Sequence, residues 1–195
     1  MENPQLISDV QRLTESLGRF PEPMVKPVLI AVSGLPGTGK SYFCSKLAER
    51  LPFIVLESDA LRKVLFPSPT YSSPESSRLF RACHHLIERL LKRGLSLILD
   101  ATNLSEGHRE YLYSIADHLN VRLVLVQVKA PPQVVRERLK DRRGSETRSD
   151  ADWGVYQRMK FSFQPIRRNH YVVDTSRDAT PVLDKIVREV GKVKI

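Results

Sequence analysis

Residues 29–43 read LIAVSGLPGTGKSYF: a short apolar run breaks into three glycines and ends on Lys40, Ser41 and two aromatic residues. The run VLIAVS has the length of a buried strand, and Phe43, Leu47 and Leu51 recur at the spacing of a helix face. Between them Gly34 to Ser41 follow the pattern G-x-x-x-x-G-K-S. Glycines there let backbone N–H groups turn inward and approach an anion closely. The helix that follows adds its dipole and its unpaired amides. In such a loop Lys40 reaches the β- and γ-phosphates of a nucleotide, and the Ser41 hydroxyl binds Mg²⁺. The residues expected to contact the nucleotide are Gly34, Pro36, Gly37, Thr38, Gly39, Lys40, Ser41 and Tyr42.

Working outward, Leu6, Val10, Leu13 and Leu17 predict a helix over 5–18, closed by Gly18. RFPEPMVKP (19–27) carries three prolines and reads as an extended connector. Further strands are expected at 53–58, 95–100, 121–129 and 171–174, with helices at 60–66, 75–93, from the segment after Asn103 to about 119, from Pro131 onward, and at 181–190. Strands and helices alternate, and the strands are nearly continuous apolar runs. That combination indicates a parallel sheet covered by helices on both faces. The expected organisation is an N-terminal helix and connector (1–27) ahead of one α/β domain (28–195).

At 195 residues the chain can bury a full core, and 41% hydrophobic with 27% charged residues is ordinary for a globular protein. No apolar stretch approaches the roughly 20 residues of a membrane span. MENPQLISDVQRL lacks the basic and apolar regions of a signal peptide. The two cysteines, Cys44 and Cys83, fall in predicted helices with no metal-ligand spacing. A cytoplasmic setting with free thiols is the expectation. The net charge of +9 suits an anionic partner, which ATP, a phosphorylated metabolite or a nucleic acid would each satisfy.

A phosphate loop identifies the donor and leaves the acceptor open. The N-K-x-D motif of guanine readers and an L-S-G-G-Q signature are both absent. LILD ends on Asp100, and Ala101 follows where many hydrolytic mechanoenzymes carry a glutamate. The alternative to water is an alcohol, which needs a carboxylate near the γ-phosphate to take its proton. Asp59, read as the end of the second strand, sits where ligands bind in open α/β sheets. Asp100, ending the third, is the expected acidic partner of Ser41 at Mg²⁺. In VRERLKDRR, Arg138 and Arg142 share a helical face, from which both charges would stabilise a transferring phosphoryl group. Arg109 and Tyr71 are candidates to line the acceptor site. Trp153 and MKFSF (159–163) suit packing of a lid better than base stacking. The triplet Cys83-His84-His85 points three ways around a helix and makes a poor metal site.

GLPGTGKS, SDALR (58–62), LDATN (99–103), RERLKDRR (136–143), SDAD (149–152) and VVDTS (172–176) together resemble the phosphate-loop kinase family that includes phage polynucleotide kinase and zeta-toxin-like kinases. The resemblance implies the three-layer fold of P-loop NTPases: a five-stranded parallel sheet in 2-3-1-4-5 order with a small helical lid, about 136–163. It implies that Asp59 activates the acceptor hydroxyl, that Arg62 holds the acceptor's phosphate, and that Arg138 and Arg142 engage the donor. The activity it implies is transfer of the ATP γ-phosphate to a hydroxyl, either a polynucleotide 5′-hydroxyl or a small-molecule alcohol. A non-transferring ATP-binding switch is the reading from another class.

Overall fold

The computed structural model describes residues 3–141 and 152–191. Among them the chain order is α1 (Pro4–Ser16), β1 (Val28–Ser33), α2 (Lys40–Ala48), β2 (Ile54–Glu57), α3 (Ser58–Leu65), α4 (Ser73–Lys92), β3 (Leu97–Asp100), α5 (Glu106–His118), β4 (Arg122–Lys129), α6 (Pro132–Asp141), α7 (Trp153–Ser162), β5 (Tyr171–Asp174) and α8 (Thr180–Gly191). The strands form one sheet in the order β2-β3-β1-β4-β5, and every neighbouring pair is parallel. This is the expected order.

Successive side chains of a strand point to opposite faces, and here both faces are apolar. Leu29, Ala31, Leu97, Leu99 and Leu125 pack with side chains of α1, α3, α4 and α5 on one side. Val28, Ile30, Val32, Ile98, Val124 and Val126 pack with α2 and α8 on the other. The two-sided burial explains why the strands carry no polar alternation. Parallel pairing also brings all the C-terminal strand ends to one edge. There Val32 and Glu57 both pair with Asp100, and Ser33 pairs with Gln127.

The N-terminal helix α1 is fastened to the same core. Val10 and Leu13 are buried in it. Asp9, 1% exposed, accepts two 2.7 Å hydrogen bonds from Arg78 of α4. That partner, opposed by burial, holds the Asp9 carboxyl below its ordinary range. Arg12 donates to the Val64 carbonyl of α3.

Helices α4 and α5 meet through four rings. Phe80 stacks on His108 at 5.0 Å between centroids, and His84 stacks on Tyr111 at 4.9 Å. Burial, with the neighbouring charges of His108 and His85, lowers the His84 imidazole to about 4. His108 is lowered by burial and by Arg109. Because the native state resists protonating these rings, the unfolded chain binds more protons below its ordinary histidine value of about 6.5. Their stabilising contribution is complete above that value and is lost as pH falls toward 4. The urea midpoint of the wild type should therefore drop between pH 7 and pH 4.5, and His84→Phe should flatten that drop. An unchanged pH slope in His84→Phe would show that the ring stack does not set it.

Candidate nucleotide and metal site

The loop between β1 and α2 is closed from several sides. Gly34 donates to the Thr102 carbonyl at 3.3 Å, and Thr38, 3% exposed, places its Oγ1 on the Leu35 carbonyl at 2.7 Å. A Cβ on Gly34 would stand 2.4 Å from the Val128 carbonyl oxygen of β4, so no larger residue fits without moving a sheet strand. Gly39 has φ +91° and precedes α2, where no side chain among the described residues caps the helix. The first amides of α2 are left for another acceptor, as at an anion-binding helix N-terminus. Lys40 and Ser41 are the first two residues of that helix.

Beside Ser41 opens a cleft of about 410 Å³ between α2 and the ends of β2 and β3, with Glu57 and Asp100 in its wall. Asp100 is 4% exposed and turns to the wall of that cleft. One hydroxyl and two carboxylates are hard oxygen donors that suit Mg²⁺. Glu57 was missed by sequence reasoning. The expectation that β2 runs on to Asp59 is corrected: β2 ends at Glu57, and Asp59 lies in the first turn of α3, half-buried. The signal was present, since Val55 and Glu57 alternate with the buried Ile54 and Leu56 and face α2.

Cys44 also lines this cleft, and burial followed by the charge of Asp100 pushes its thiol well up. Cys83 is wholly in the core, where burial pushes it up to about 12. Neither is poised as a thiolate nucleophile.

Two arginines expected at the acceptor site are otherwise engaged. Arg109 is 1% exposed. Its Nε donates to Glu106 at 2.8 Å, its Nη1 to the carbonyls of Asn103 and Leu104, and its Nη2 to those of Gln164 and Pro165. It fastens the turn after β3 to the segment after α7, and the expectation that it lines an acceptor site is withdrawn. Arg62, expected to hold the acceptor's phosphate, is 6% exposed. Its Nη1 lies 2.5 Å from Glu75 Oε1, and the Tyr71 ring covers its guanidinium at 4.8 Å. Burial would raise the Glu75 carboxyl, but hydrogen bonds from Thr70, Arg62 and Tyr71 outweigh it and lower the group to about 2. Tyr71 itself sits in the left-handed region, φ +56°.

Arg138 of α6 donates to Thr175 Oγ1 at 2.8 Å and to the Thr175 carbonyl at 2.9 Å, behind the phosphate loop. Trp153 stacks on Tyr156 at 4.9 Å and packs with Val135, Leu139 and Leu35, so α7 is seated on α6 and the loop. Tyr42 is exposed on the first turn of α2. Arg142 lies outside the described residues. None of the described helices is long and apolar enough to cross a membrane.

A parallel sheet in this order, with a glycine loop feeding an uncapped helix, defines the phosphate-loop NTPase class. Within it, the chain belongs to the AAA_33 family, described as an AAA domain, whose model matches residues 29–166. Among similar proteins is the L-seryl-tRNA(Sec) kinase of Methanococcus maripaludis, 26% identical over 173 residues. That alignment covers 85% of this chain and 66% of the relative's length. Two solved structures share the fold. Kti12 of Chaetomium thermophilum, solved with ADP-AlF3, has TM-score 0.65 and 22% identity over 81% of this chain and 96% of its own. A gluconokinase from Sinorhizobium meliloti has TM-score 0.62 and 19% identity over 86% and 93%.

Proposed function

We propose that the protein is a Mg²⁺-dependent ATP phosphotransferase that moves the γ-phosphoryl group to a hydroxyl. The observation that carries this reading is the meeting of the uncapped α2 N-terminus, Ser41, Glu57 and Asp100 at one sheet edge, with Asp59 one turn away on α3. Lys40 and the loop amides hold the donor phosphates. Ser41 and Asp100, with Glu57, would hold Mg²⁺, which neutralises phosphate charge. Asp59 takes the proton of the acceptor hydroxyl as its oxygen bonds to the γ-phosphorus and the bond to ADP breaks. Arg142 and Arg138 supply positive charge to the donor side. A relative solved with ADP-AlF3 supports an adenine nucleotide as donor.

A hydroxyl borne by a nucleic acid, a polynucleotide 5′-hydroxyl among them, is the first acceptor class. The charge of +9 and the similarity to a seryl-tRNA kinase support it. A second reading, a small-molecule alcohol, is favoured by the Arg62–Glu75 pair, which cancels the charge that an acceptor phosphate would need. The test supplies γ-labelled ATP and Mg²⁺ with 5′-hydroxyl oligonucleotides, charged tRNA and a panel of small alcohols. Label on nucleic acid supports the first class, and label on small alcohols alone supports the second. ATP binding without any labelled acceptor across the panel would instead indicate a switch protein and overturn the proposal. Lys40→Ala should weaken ATP binding and transfer together, as measured by calorimetric titration and the same label assay.

A further inference from the structure

Thr175, the first residue after β5, joins three parts of the molecule. Its N–H donates to the Lys129 carbonyl at 3.0 Å, which continues the β4–β5 ladder. Its Oγ1 donates to the Thr38 carbonyl at 2.6 Å and accepts from Arg138 Nη1 at 2.8 Å. Its carbonyl accepts from Arg138 Nη2 at 2.9 Å. A hydroxyl can donate one hydrogen bond while accepting another, and such a chain polarises each member. Gly39 permits the approach, since a Cβ there would lie 3.1–3.3 Å from the Thr175 side chain.

The consequence follows from the planarity of the trans peptide, in which C=O and N–H point in opposite directions. Drawing the Thr38 carbonyl toward Thr175 turns the Gly39 N–H the other way, and no acceptor among the described residues takes it. Arg138 forms no ion pair with a carboxylate among the described residues. Among the described residues, its guanidinium is held behind the loop by the neutral oxygens of Thr175.

We propose that Thr175 and Arg138 are positioning residues for the donor phosphates. The Thr175 hydroxyl locks the Thr38–Gly39 peptide with its N–H facing the anion, and it fixes the Arg138 charge behind that peptide. This rests on the reading that the loop holds phosphate.

The test measures the dissociation constants of inorganic tripolyphosphate and Mg·ATP for the wild type, Thr175→Val, Thr175→Ser and Arg138→Lys, with circular dichroism as the check on folding. Valine keeps the shape and removes the hydroxyl. It should weaken both ligands about tenfold, the scale of one or two lost hydrogen bonds. Serine should stay within about twofold of the wild type, because the bonding group is retained. Arg138→Lys keeps the charge and loses the two-pronged contact, so its loss should be intermediate. Weaker ATP binding with unchanged tripolyphosphate binding in Thr175→Val would place Thr175 at the base and overturn the proposal. So would a serine variant as weak as the valine one. A wild type that binds neither ligand would sink the phosphate-loop reading itself, a result distinct from both.

Discussion

Asp59→Asn should lower the transfer rate by about 10²–10⁴-fold, the range that a positioned general base contributes, while ATP affinity stays near that of the wild type. Asparagine has nearly the same shape, and its amide cannot accept the acceptor's proton at neutral pH. Asp59 lies in the first turn of α3, beyond the strand end where Glu57 faces Asp100. The donor contacts assigned to Lys40 and the loop are made elsewhere, so binding and turnover should separate. Single-turnover transfer and calorimetric titration of ATP read the two quantities independently. Normal transfer by Asp59→Asn would remove the base assignment and direct attention to Glu57.

Arg109→Ala should produce the largest loss of stability of any single change discussed, about 3–5 kcal/mol, as expected for removing one partner from a buried charged network. The arginine carries bonds to four main-chain carbonyls and to Glu106. Without it those carbonyls lose that donor, although Leu104 keeps the Gln164 N–H, and Glu106 loses its counter-charge. Arg109→Lys should recover little, because an ammonium cannot reproduce the planar fork of five donors. Urea denaturation checks both variants, and a loss below about 1 kcal/mol would contradict the role. The turn that Arg109 secures includes Asn103, whose Nδ2 reaches the Val32 carbonyl beside the loop. Ligand affinity should therefore fall with stability.

The contrast between Arg109 and the loop shows what was legible in the sequence. Gly34, Gly39, Lys40 and Ser41 declare themselves because phosphate binding imposes fixed residue types at fixed spacing. The sheet was readable because two-sided burial leaves continuous apolar strands such as VLIAVS. The burial of Arg109 and Arg62 was not legible because a charged residue on a helix is usually solvated, and their partners lie far along the chain or across a loop. Gln164 and Pro165 stand more than fifty residues from Arg109. Glu57 was overlooked for a different reason. Two residues in the placement of a strand end, Asp59 against Glu57, decide which carboxylate faces Asp100, and the start of α3 immediately after Glu57 blurs that end. The contact of Thr175 with Thr38 spans 137 positions, and no local pattern encodes it.

The central claim is that this loop passes its phosphate to an alcohol and not to water. It is tested most directly by following the γ-phosphorus of Mg·ATP by ³¹P NMR, with and without the best acceptor from the panel. The account predicts a phosphate-ester resonance that grows in step with ATP loss when the acceptor is present, and nearly intact ATP when it is absent. Inorganic phosphate released at the same rate with and without acceptor would contradict it.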